Sequence, residues 1–191
     1  MQAIFDFIVI PKEQEKSELI LNTELQNHLF VNRIGVVQNV PKNNKTPIEE
    51  GDEIIVHHNV FRRFRDVKGK EKFSKSYYKN NLYFVAPEQI YGYKRVVKWQ
   101  ALEGFNFVQP IKETKMFSNN AEKPLTGILK YKDPKLQNVK ENDLVGFTPN
   151  SEYEFIVNNM KLYRVPTNSI TIKYERKGNE EAYNPSWTQS S

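Results

Sequence analysis

A set of short motifs occurs twice in the same order, once in each half of the chain. The first set opens with Phe5-Asp6-Phe7-Ile8-Val9-Ile10-Pro11-Lys12 and the second with Phe105-Asn106-Phe107-Val108-Gln109-Pro110-Ile111-Lys112. Each opening gives way to a polar stretch, then to a glycine-led apolar run: Gly35-Val36-Val37 and Gly127-Ile128-Leu129. Next comes an acidic turn before another apolar run, Glu49 to Val56 in the first set and Lys140 to Phe147 in the second. Each set closes alike: Leu82-Tyr83-Phe84-Val85 leads to Ile90, and Leu162-Tyr163-Arg164-Val165 leads to Ile170, with a proline between. A fold that accommodates one set has to accommodate the other. The 191 residues therefore read as a duplicated small domain, with Phe5 and Phe105, and Leu82 and Leu162, expected in equivalent places.

The runs are short and rich in Val, Ile, Phe and Tyr, residues that suit a pleated, half-buried surface. Gly51-Asp52 and Asn142-Asp143 supply turn residues that tolerate unusual backbone angles. Ala86-Pro87 and Val165-Pro166 end strands, because proline cannot donate to a ladder. The fold class is all-β: two tandem small β-barrels, the first carrying a loop and a hairpin insertion. The boundaries are residues 1–95 for the first domain, 96–103 for a linker, 104–175 for the second domain and 176–191 for a polar, flexible tail. Within that tail, Tyr183-Asn184-Pro185-Ser186-Trp187 is either a disordered end or a docking element.

There is no cysteine, so disulfides and thiolate-bound metal are excluded and a reducing, cytoplasmic compartment is expected. The apolar start, Ile4 to Ile10, is interrupted by Asp6 and ended by Pro11, which does not make a signal-peptide core. No apolar run has the length a membrane helix needs. His57 and His58 are adjacent on a predicted strand, where they would point to opposite faces and could not chelate one metal. No Gly-x-Gly and no Walker loop occur. No residue set nominates catalysis, and neither a metal nor another cofactor is expected.

The order of motifs resembles the GroES-type co-chaperonins: strand, long polar loop, Gly-led strand, Gly-Asp turn, strand, hairpin, closing strand. It spans most of residues 4–95 and, more weakly, 102–175. The tandem arrangement resembles the double-domain co-chaperonin of chloroplasts, and a divergent or viral co-chaperonin fits the same pattern. The second set departs from the family at Asn142-Asp143 and in a shorter loop, and the first carries a basic insertion where the family's roof hairpin would fall. The resemblance implies a homo-oligomeric ring that caps a GroEL-like chaperonin and assists protein folding without being an enzyme. It also implies a mobile loop between the first two strands, carrying a short apolar tripeptide that binds the chaperonin.

That loop corresponds to Lys12 to Arg33 and contains Leu19-Ile20-Leu21 in polar surroundings. Such a triplet is either a strand on the domain's own core or a recognition segment that orders on a partner. The resemblance favours recognition. In the second set the nearest substitute is Met116-Phe117.

One more segment stands out. Arg62, Arg63 and Arg65, followed by Lys68, Lys70, Lys72, Lys75 and Lys79, are interleaved with Phe61, Phe64, Phe73, Tyr77 and Tyr78. Basic grooves with stacking aromatics serve single-stranded nucleic acids, which makes a nucleic-acid-binding barrel the alternative function. A hairpin around Lys68-Gly69-Lys70 with solvated charges is the simpler expectation. A structural or assembly protein on the same fold is a third reading.

Overall fold

The computed structural model describes residues 2–12, 33–113 and 122–185. The chain divides into two compact units, Met1–Trp99 and Gln100–Ser191. Among the described residues both are built from strands, joined by short 3-10 turns at Pro87–Gln89 and Thr167–Ser169.

The first unit holds β1 (Phe7–Pro11), β2 (Ile34–Asn39), β3 (Glu53–Val56), β4 (Arg63–Arg65), β5 (Glu71–Phe73), β6 (Tyr77–Lys79), β7 (Leu82–Val85) and β8 (Ile90–Arg95). β9 (Lys98–Ala101) follows across the division. Its sheet has the order β6-β7-β1-β2-β3-β8-β9, and β4 and β5 form a separate two-stranded sheet. The second unit holds β10 (Phe105–Lys112), β11 (Glu122–Tyr131), β12 (Leu144–Phe147), β13 (Tyr153–Val157), β14 (Met160–Pro166) and β15 (Ile170–Tyr174). Its order is β13-β14-β10-β11-β12-β15. Strand for strand this is the order of the first sheet without β9. Among the described residues neither large sheet closes on itself, so the strands form three open sheets and the expected closed barrels are not seen.

The correspondence extends to single residues. Val9 pairs with Val37, Val108 pairs with Leu129, and each pair adjoins a bulge. Pro11 lies opposite Gly35, and Pro110 opposite Gly127. Gly51 and Asn142 both adopt a left-handed backbone, with φ of 90° and 72°. The Gly51 and Asn142 amides donate to the carbonyls of Val37 and Leu129, at 2.9 and 2.7 Å. The next residue caps each turn: the carboxylates of Asp52 and Asp143 accept from the amides of Glu49 and Lys140, at 2.8 and 2.7 Å. An aspartate suits this place because it satisfies a turn amide that the ladder leaves out. The second unit's core gathers Val108, Leu129, Val145, Phe147 and Val165. Their counterparts Val9, Val37, Ile54, Val56 and Val85 are all buried in the first.

Two expectations are corrected here. Leu82 and Leu162 do occupy matching places, each preceding the tyrosine that pairs with Val9 or Val108. Phe5 and Phe105 do not: the register puts Phe105 level with Asp6, because proline opposite glycine, not the Phe-x-Phe pattern, sets the alignment. Residues 96–103, assigned to the connection between the domains, contain β9, whose Trp99 is buried. His57 and His58 lie just beyond β3, in a turn closed by the Val60 amide on the His57 carbonyl. Their rings are therefore side by side, 4.2 Å between centroids, and not on opposite faces.

Candidate functional site

In both units one connection falls at the same place in the strand order, from β1 to β2 and from β10 to β11. Leu19, Ile20 and Leu21 lie in the first of these connections and Met116 and Phe117 in the second, outside the described residues. The roots of both connections are described. At the first, the Lys12 amide donates to the Ile34 carbonyl at 2.9 Å. The Lys12 ammonium pairs with Glu53 at 2.7 Å, and Lys94 pairs with the other oxygen of Glu53 at 3.0 Å. Burial opposes the Glu53 charge, but hydrogen bonds from the two lysines hold its carboxyl below the ordinary range.

At the second root, Lys112 lies opposite Glu122. The Lys161 ammonium sits between Glu122 and Glu154, at 2.9 and 3.0 Å, and the Tyr163 hydroxyl donates to Glu122. Burial disfavours the Lys161 charge, yet its hydrogen bonds to Tyr163, Glu122 and Glu154 raise its pKa above the lysine range. Burial and the Glu122 hydrogen bond raise the Tyr163 phenol as well. The chain's C-terminal stretch also reaches this root. The Lys112 amide donates to the Glu181 carbonyl and the Tyr183 amide to the Pro110 carbonyl, both at 2.8 Å, and Ala182 bridges to Ile111. Asn184 accepts from the Lys161 amide at 2.9 Å. Glu181 to Asn184, inside the segment expected to be a flexible tail, thus form a strap along β10. The expectation of a loose tail missed this because the strap is held by backbone groups, which composition does not reveal.

The basic segment forms the β4–β5 hairpin. Its turn is organised by Asp66, whose carboxylate accepts from the amides of Lys68 and Lys70, at 2.9 and 3.0 Å, with Gly69 at φ 76°. Alternation along the strands separates the three arginines. Arg63 and Arg65 share a face with Phe73 and Glu71: Arg63 reaches Glu71 at 3.8 Å and lies over the Phe73 ring. Phe73 stacks on Tyr77 with centroids 4.2 Å apart, and Tyr77 meets the buried Tyr83 edge-on. This face is the hairpin's attachment to its unit. Arg62 and Phe64 fall on the opposite face, with Lys72 across from Phe64.

Among the described residues, no group of three or more histidine, aspartate or glutamate side chains could hold a metal ion. No helix there is long and apolar enough to cross a membrane. Comparison with protein-family models and with curated proteins returned no match.

Proposed function

We propose that this protein is a co-chaperonin-like cap built from two copies of a GroES-like domain, docking on a GroEL-type chaperonin as part of a homo-oligomeric ring. The observation that supports this most is the repeated strand order, each copy with a glycine opposite proline and a left-handed turn closed by Asp52 or Asp143. In each copy the connection after the central strand is the counterpart of the family's chaperonin-binding loop. Ion pairs at its root, Lys12 with Glu53 in one copy and Lys161 with Glu122 in the other, tie its ends to the sheet. A connection with fixed ends loses less freedom on docking.

Leu19-Ile20-Leu21 is the anchor in this reading, with Met116-Phe117 as a weaker one. Burying one such aliphatic side chain contributes roughly 1.5–3 kcal/mol. Ordering costs offset much of that, so single contacts are weak and a ring multiplies them. The test is co-sedimentation with a GroEL-type chaperonin in the presence of nucleotide. Ile20→Asp is expected to abolish co-sedimentation and leave the melting temperature nearly unchanged. A sharp fall in melting temperature makes the triplet a core strand and overturns the recognition reading. Unchanged folding and unchanged co-sedimentation also overturn it, and shift attention to Met116-Phe117.

A further inference from the structure

The chain's positive charge is concentrated in the hairpin segment. Residues 62–79 hold eight lysines and arginines against Asp66 and Glu71, a net of +6, while the whole chain is +5. The other residues together are therefore close to neutral, at −1. Within the segment Arg63 pairs with Glu71, and Lys72 lies 4.0 Å from Asp66. Arg62, Arg65, Lys68, Lys70 and Lys75 have no acidic partner among the described residues. Concentrating like charges on a small hairpin costs self-repulsion, which an anionic partner relieves.

The aromatic side chains indicate which anion. Phe73 is stacked on Tyr77 and serves the fold. Phe64 is different: it is 43% exposed and makes no ring contact among the described residues. It stands on the face of the hairpin opposite Phe73, with Lys72 directly across and Arg62 two positions earlier on the same face. The Ser74 amide on the Arg62 carbonyl, at 3.0 Å, carries the pairing on to that position. An exposed ring between cations, backed by a turn carrying Lys68 and Lys70, matches what single strands require: a π-face for a base and charges for the flanking phosphates. Binding of a polyanion by charge alone would leave the exposed ring unused.

We propose that this outer face, Phe64 with Arg62 and Lys72, is a binding platform for single-stranded nucleic acid. Phe64 stacks on a base and the two cations contact neighbouring phosphates. The site is independent of the connections discussed above, so its success or failure leaves the chaperonin reading untouched.

The experiment is fluorescence anisotropy of the full chain with a labelled oligothymidylate, titrated over a range of salt concentrations. Unlabelled duplex DNA and polyglutamate serve as competitors. Phe64→Ala keeps every charge and is expected to weaken binding about tenfold, as for one lost base–aromatic stack. Arg62→Ala with Lys72→Ala should flatten the slope of log affinity against log salt by about 1.4, near 0.7 for each lost phosphate contact on a single strand. Both variants alter exposed side chains, and unchanged thermal unfolding will show that the unit is intact. Three results overturn the proposal: no binding at low salt, binding insensitive to Phe64→Ala with duplex competing equally well, or displacement by polyglutamate as efficient as by single strands. The last would make the hairpin a contact for an acidic protein.

Discussion

Gly35 faces Val9 so closely that a β-carbon on the glycine would stand 2.5 Å from Val9 Cγ1. The second unit repeats the relationship, with Gly127 against Val108 at 2.6 Å. Glycine stands at these two places because β1 and β10 press on them, not because a turn is required. The neighbours differ in how far they can yield. A methyl group at Gly35 meets mostly side chains, Val9 and Phe61, whereas at Gly127 it also meets the Gln109 carbonyl oxygen at 2.4 Å.

Alanine at either position should therefore destabilise by overpacking, by about 1–3 kcal/mol. Gly127→Ala should be the more damaging, since backbone has to move to admit it. Urea unfolding of the two variants beside the wild type measures this. Equal midpoints for all three proteins would mean that the strands separate more easily than their pairing implies.

Much of this duplication is legible in the sequence, and the reason is steric. Gly35, Gly127, Gly51 and Asp52 occupy places where few residue types fit, so their order along the chain survives as a pattern. Asn142 extends the same logic, since asparagine is among the few residues other than glycine that accept a left-handed backbone. Phe5 and Phe105 mislead because an aromatic at a strand entrance is under no such restriction. The strap at Glu181–Asn184 is invisible for another reason: its contacts are mostly backbone groups, and every residue carries those. The division of the hairpin into two faces follows from strand alternation, but only once the pairing of Phe64 with Lys72 is known. Which face attaches to the unit depends on the stacking of Phe73 on Tyr77 and the edge-on contact of Tyr77 with Tyr83, packing that charge and spacing do not signal.

Asp133 is buried, and among the described residues no basic side chain bonds its carboxylate, which instead collects hydrogen bonds from amides and a hydroxyl. It accepts from the amides of Gly104 and Lys135, at 2.9 and 2.8 Å, and from the Thr167 hydroxyl. Thr167 in turn accepts from Asn106 at 3.0 Å, and Asn106 takes the Asp133 amide at 2.9 Å. Burial works against the charge, but the bonds from Thr167, Lys135 and Gly104 outweigh it and hold the pKa below its ordinary value of 3.8. With the folded pKa lower than the unfolded one, the stabilisation is complete above the unfolded value and is lost as the pH falls through the folded one. Glu53 and Asp143 are lowered in the same direction, so the whole protein should lose stability below about pH 4. Asp133→Asn should cost about 1–3 kcal/mol near neutrality, because an amide nitrogen cannot accept as the lost oxygen did. Its loss between neutral and acid pH should be smaller than the wild type's. Urea midpoints at the two pH values decide the matter, and parallel losses in both proteins would remove Asp133 from the account.

Lys161 and the strap stabilise the same corner in different ways, and two variants should separate them. Lys161 is 8% exposed and lies between Glu122 and Glu154, with its ammonium also 5.0 Å from the centre of the Tyr163 ring. Lys161→Met keeps most of the volume and removes the charge. Two partly buried carboxylates then face each other without a cation, which should cost about 2–3 kcal/mol, less than for a fully buried pair because both glutamates reach solvent. Ending the chain after Arg176 removes the strap and its bonds to Lys112, Pro110 and Lys161, but also frees the residues that were ordered to make them. Each such bond contributes only about 0.5–1.5 kcal/mol net, and fixing each residue's backbone costs about as much. Overall stability should therefore change little on truncation, while the Lys112 and Lys161 amides lose their acceptors. Hydrogen exchange at those two amides should accelerate in the shortened chain, with β12 and β15 unaffected. If truncation instead lowers the unfolding midpoint as much as Lys161→Met does, the strap is part of the cooperative core of its unit. If exchange at Lys112 stays slow, another group protects that root and the strap is not what holds it.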